Sequence, residues 1–169
     1  PVIIRKFLSI KNKMIAEFLS HPVTREIEAG ISSPNISKTL ASGRGNLFSF
    51  IGFYEGDEPI EPILELLRAT DIRFVKTTKR YIEHQVTLPS PAEIFAVTPI
   101  PWATGRSWAR GIEVGISGYG YYLSKASRIS RSGKGLQIEN RIKGRSGRFK
   151  NTKYISALLN KYEKLFNQI

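Results

Sequence analysis

The chain contains no cysteine, which excludes a disulfide framework, a thiolate metal site and a cysteine nucleophile. It has two histidines, His21 and His84, too few for a three-histidine zinc site, and neither has a second ligand at metal-binding spacing. Neither a metal nor a cofactor is expected. Uninterrupted apolar runs fall far short of the roughly 20 residues of a membrane span, and no secretory signal pattern occurs in the first residues. No membrane partner is expected. Acids are also scarce, 14 against 26 Lys and Arg.

The 169 residues, 41% of them apolar, suffice for one domain with its own core. The net charge is +12 and the pI about 10.1, which implies a polyanionic partner or an assembly that holds one. The charge is segregated. Lys125, Arg128, Arg131, Lys134, Arg141, Lys143, Arg145, Arg148, Lys150 and Lys153 face a single acid, Glu139. Residues 125–153 thus carry +9 of the +12. They are also rich in Ser and Gly, a composition that buries little apolar surface. The segment reads as a basic excursion that is mobile in the free subunit. It becomes ordered on phosphate or on an acidic protein surface such as the 55–61 patch of a neighbouring copy.

Elsewhere, apolar periodicity places the elements. Phe7, Ile10, Met14 and Phe18 predict a helix over 6–19, closed by His21-Pro22, with Pro22 opening a second helix that ends at Gly30. Residues 30–46 read as a long loop. Leu47, Phe48, Phe50, Ile51, Phe53 and Tyr54 follow as a dense cluster too short for periodicity to classify. Structureless loops beyond about 12–15 residues are uncommon inside a domain, and clustered aromatics anchor interfaces. Residues 30–56 are therefore expected to make an intersubunit contact, against the plainer reading of the six side chains as core. An acidic turn, Glu55 to Glu58, precedes a helix marked by Ile60, Ile63, Leu64 and Leu67. Alternation predicts strands over 72–76 and 81–88. Ser90-Pro91-Ala92-Glu93 has the form of a capping box. Thr104 is expected to cap a short helix through Trp108 and Ile112, Gly115 to Leu123 to form a strand, and Leu136 to Ile142 to form another. Tyr154 to Phe166 gives the clearest helical pattern, capped by Asn151 or Thr152. The expected fold is α+β: a single domain over 1–169, with terminal helices packed on a small, mostly antiparallel sheet and with long loops or arms.

No enzymatic motif emerges. Gly133-Lys134 is not a phosphate-binding loop, because Arg128 stands where a glycine is required and Gly135 replaces the Ser or Thr after the lysine. A nuclease would have to assemble acids such as Asp71 and Glu83 from separate elements. Tyr119, Tyr121 and Tyr122 beside the basic stretch suit stacking on single-stranded bases, but also suit a sheet edge.

Trp102-Ala103-Thr104-Gly105-Arg106-Ser107-Trp108, Ile112 and the run Gly115-Ile116-Ser117-Gly118-Tyr119-Gly120-Tyr121-Tyr122 occur in a familiar order. A Thr-Gly-Arg step, a short helix, a strand ending in aromatics, a basic excursion and a C-terminal helix resemble the small neck and tail-completion proteins of tailed bacteriophages. The resemblance implies a structural, non-enzymatic virion protein. It would form a homo-oligomeric ring at the head–tail junction or tail end, with other neck, portal-adaptor or tail proteins as partners and DNA in its channel. The alternative is an RNA-binding structural protein of a ribonucleoprotein such as a ribosome, whose basic extension would bind phosphate.

Overall fold

Phe7, Met14 and Phe18 form the buried stripe of α1 (Val2–Ser20), a helix four residues longer at its start than its periodicity predicts. The structure, a computed structural model, describes residues 2–40, 45–101, 103–115, 123–124, 136–137 and 150–169. Pro22 takes the first position of α2 (Pro22–Glu28), where its missing N–H costs nothing. His21 caps that helix, its Nδ1 accepting from the Val23 N–H at 3.2 Å. Burial holds the His21 imidazole below its usual value, and the Glu17 carboxylate opposes this only in part.

That cap works only while Nδ1 is unprotonated. A histidine whose folded pKa is depressed contributes stability above its unfolded value of about 6.5 and loses it as pH falls through the folded value. Between pH 7.5 and pH 5 the wild type should therefore lose about 1 kcal/mol, the worth of a helix cap, that a His21→Asn variant retains. Thermal unfolding of both across that range checks this; parallel pH profiles would remove the role.

Residues 30–40, 45 and 46, the described part of the expected long loop, are held by polar contacts within the chain. A 3-10 turn (Gly30–Ser32) opens the stretch, and Asn46 Nδ2 donates to the carbonyls of Ile31 and Ser33 at 3.1 and 2.9 Å. Glu26 is fully buried. Its carboxylate accepts from the backbone N–H of Ser37 at 2.6 Å and of Leu47 at 2.7 Å. One side chain of α2 thus fixes the loop's middle and also the start of α3 (Leu47–Ile51). Asn46 Oδ1 caps α3 through the Ser49 N–H at 2.9 Å, and Gly52 ends it at φ 91°.

Four residues of the aromatic cluster, Leu47, Phe48, Ile51 and Phe53, take the plainer of the two expected places, the chain's own core, and Phe50 is half-buried. Only Tyr54 is exposed. A five-residue helix is too short to show a period, but its polar caps let it enter the core without leaving backbone groups unpaired.

α4 (Glu61–Arg68) buries Ile63, Leu64 and Leu67. The hairpin of β1 (Asp71–Thr77) and β2 (Ile82–Thr87) is antiparallel, with a bulge at Val75. α5 (Pro91–Ala96) begins with the expected capping box: Ser90 Oγ accepts from the Glu93 N–H at 3.2 Å, and Glu93 accepts from the Ser90 N–H at 2.7 Å. β3 (Pro99–Ile100) pairs with β4 (Ala103–Ser107). Thr104 therefore lies in a strand, three residues before the cap of the next helix. Ser107 caps α6 (Trp108–Val114) instead, its Oγ accepting from the Arg110 N–H at 3.1 Å. Of the two strands expected in 115–142, β5 (Leu123–Ser124) and β6 (Leu136–Gln137) are described and pair antiparallel. Gly115, the expected start of the first strand, ends α6 instead, and residues 116–122 and 138–142 lie outside the described residues.

α7 (Ile155–Phe166) completes a single α+β domain. The two terminal helices pack on each other, in one core with residues of the small antiparallel sheets. Phe7 meets Phe166 at 5.5 Å between ring centroids, and Phe18 stacks on Tyr154 at 5.9 Å. Glu17 accepts from Lys161 Nζ and from the Tyr162 hydroxyl, both at 2.6 Å. The hairpin reaches the core only at its root, through half-buried Ile72 and Val86, with Leu88 just beyond.

Candidate functional site

The basic excursion leaves the body after α6 and returns before α7, and the described residues at both ends form a stem. The Thr152 N–H donates to the Ile112 carbonyl at 3.1 Å, and the Lys150 N–H to the Thr39 carbonyl at 2.8 Å. Gly115, at φ 93°, lies so close to Asn151 that an added Cβ would stand 2.9 Å from its Oδ1. Both the positive φ and this approach call for glycine. Glu113 of α6 accepts from the Ser156 N–H at 2.6 Å and also bonds the Ser156 hydroxyl.

That carboxylate lies at the positive end of α7, where backbone N–H groups have no partner within the helix. Neither Asn151 nor Thr152 caps α7; the cap comes from Glu113, 43 residues earlier. Glu113 has no local sequence signal for this role, because capping rules concern neighbours in the chain.

Both ends of the stem rest on the core. Tyr154 is buried and shares a 2.6 Å hydrogen bond with Thr24 of α2. Burial pushes its phenol far above its ordinary value. Trp108 is also buried, with the Phe53 ring edge-on at 5.9 Å and Tyr154 at 6.5 Å.

Of the basic residues singled out by the sequence, Lys150 and Lys153 are described, and both are exposed at the stem. Lys125, Arg128, Arg131, Lys134, Arg141, Lys143, Arg145 and Arg148 lie outside the described residues. Tyr119, Tyr121 and Tyr122 do too. Asp71 and Glu83 both lie on the hairpin but are not brought together. Asp71 stands opposite Thr87 at the root and pairs with Arg73 at 3.4 Å; Glu83 stands opposite Lys76 near the tip and pairs with it at 3.2 Å. Among the described residues no cluster of His, Asp and Glu could hold a metal ion. No helix among them is long and apolar enough to cross a membrane. No family model, no curated protein and no solved structure matches the chain.

Because the excursion leaves and returns at one stem, the body is expected to fold without it. Replacing residues 117–148 by a short Gly/Ser linker shortens the loop that must be closed, and each halving of a flexible loop lowers that cost by only about 0.6 kcal/mol. Stability measured by urea unfolding should therefore stay within about 2 kcal/mol of the wild type. Failure of the shortened chain to fold would make the excursion part of the core.

Proposed function

We propose that this chain is a structural, non-catalytic subunit of a tailed-bacteriophage virion. It forms a homo-oligomeric ring around the DNA channel at the head–tail junction or the tail end. The observation that carries this reading is the separation of tasks along the chain. A body of nearly balanced charge holds a +9 segment by a stem built on α6 and α7. The resemblance in residues 102–122 to neck and tail-completion proteins supports the same reading, as does a C-terminal helix placed directly after the excursion.

A ring subunit needs a body that folds alone and an arm that engages something else. In this reading the arm meets acidic protein surface on adjacent subunits or other neck, portal-adaptor or tail proteins. A channel must let DNA slide, and a dense cationic wall gripping phosphates would hinder transit. Assembly takes place in the host cytoplasm, and the mature location is the virion.

Electron microscopy of the purified protein tests the proposal, with rings of uniform diameter as the expected result. Dispersed particles that bind structured RNA with steep salt dependence would replace it with the ribonucleoprotein reading.

A further inference from the structure

Alternation along β1 and β2 separates the hairpin into two unlike faces. The register pairs Ile72 with Val86, Phe74 with His84 and, beyond the bulge, Thr77 with Ile82. These residues share one side, since side chains alternate across a strand. The opposite side carries Asp71, Arg73, Lys76, Glu83 and Gln85. The apolar side begins half-buried at Ile72 and Val86 and continues outward into solvent, where Phe74 and Ile82 are each 60% exposed. His84 lies edge-on to Phe74 at 5.9 Å. Tyr81 and Val75 add further exposed apolar surface. A two-stranded ribbon with an uncovered apolar face is marginal alone in water, and such surface marks an interaction site.

The tip is ordered and cationic. The Thr78 N–H donates to the Tyr81 carbonyl at 2.8 Å, and Thr78 Oγ1 accepts from the Tyr81 N–H at 3.1 Å. That turn presents Lys79 and Arg80 to solvent. The other two cations of the hairpin, Arg73 and Lys76, are paired with Asp71 and Glu83. On the hairpin only Lys79 and Arg80 are left outside these pairs, too few cations for a phosphate grip. A protein partner fits better, and it must offer acids beside an apolar side chain.

The chain itself offers that surface. Tyr54 is exposed at the start of a turn carrying Glu55, Asp57 and Glu58, all exposed. The turn is held by the Tyr54 N–H donating to Asp57 Oδ2 at 2.8 Å and by Gly56 at φ 93°. Among the described residues, Lys79, Arg80, Glu55 and Glu58 enter no ion pair. We propose that the β1–β2 hairpin is a second arm, separate from the basic excursion, by which one copy of this chain docks on the next, and that the hairpin rather than the excursion takes the acidic turn. Its apolar face and cationic tip seat on the Tyr54–Glu58 turn of the second copy. The two surfaces differ, so the contact is head-to-tail, the kind that generates rings when its rotation closes. The inference rests on the ring reading and names the contact that builds the ring.

Charge reversal at each surface tests it, read by sedimentation velocity over a range of protein concentrations. Lys79→Glu with Arg80→Glu, or Glu55→Lys with Glu58→Lys, should each weaken assembly at least about tenfold. An equimolar mixture of the two variants should assemble again, because each supplies the charge the other needs. Phe74→Ser with Ile82→Ser should also weaken assembly, and since all these side chains are exposed, thermal unfolding should stay at wild-type values. If the wild type assembles and the variants assemble equally well, the hairpin contact is overturned while the ring reading stands. If the wild type is monomeric at every concentration, both fall. Unchanged assembly with reduced retention of a labelled single-stranded DNA would assign the hairpin to nucleic acid and overturn the docking role.

Discussion

Replacing Glu26 by Ala should destabilise the domain by about 3–5 kcal/mol. Its carboxylate is wholly buried and accepts two backbone N–H bonds, from Ser37 and from Leu47. Hydrogen bonds to a charged group are each worth about 1.5–3 kcal/mol, and the stranded N–H groups would add their own desolvation cost. Glu26→Gln keeps one carbonyl acceptor but turns an amide N–H₂ toward a second donor, so about 2 kcal/mol should be lost. Urea unfolding of the two variants measures both. The loop should report the loss as well: amides from Ser33 to Thr39 should exchange hydrogen faster in Glu26→Ala, while those of α7 follow global stability. A cost below about 1 kcal/mol for Glu26→Ala would show that something other than this carboxylate orders the loop.

Trp108→Ala should cost a similar amount, about 3–5 kcal/mol, the usual range for removing a large buried aromatic. The indole packs between Phe53 after α3 and Tyr154 before α7, and the backbone N–H of the same residue, which both variants keep, donates to the Thr98 carbonyl at 2.9 Å. Truncation leaves a void that the rigid strand-to-helix junction at Ser107 resists closing. Trp108→Phe keeps most of the contact and should cost roughly half as much. Guanidinium unfolding, with a check that the denaturant slope is unchanged, measures both. If Trp108→Ala costs less than about 1 kcal/mol, this junction collapses readily and Trp108 is not its keystone.

The legible parts of this fold are those whose determinants are close in sequence. The stripe Phe7–Met14–Phe18 predicts α1, Ser90 and Glu93 predict their own capping box, and alternation from Ile82 to Leu88 predicts β2. The misread parts depend on partners far along the chain. Leu47 to Ile51 is too short for a period, and its helix start is fixed by Glu26, 21 residues away. The α7 cap comes from Glu113. Thr104 and Ser107 are both fair cap residues by type, and only the pairing of Pro99 with Ser107 decides between them. The hairpin was legible as strands, but not how little of it the body covers, because alternation reveals an apolar face without revealing what lies against it. Of the candidate site, the sequence shows where the basic charge lies, whereas the stem that holds it rests on backbone contacts and on Gly115 meeting Asn151.

The pairing of α1 with α7 sets the order in which this protein acquires its structure during synthesis. Phe7 finds Phe166, and Phe18 finds Tyr154, only after nearly the whole chain between them has been made. At about 5–20 residues per second, the first helix waits on the order of ten seconds for its last partner. During that interval, among the described elements, α2 and α4 are the main cover of its apolar stripe. Such contacts between distant segments also slow folding after release, since a large loop must close before they form. A nascent chain halted before Tyr154 should therefore be a good client for a ribosome-associated chaperone and a poor one for release into solution.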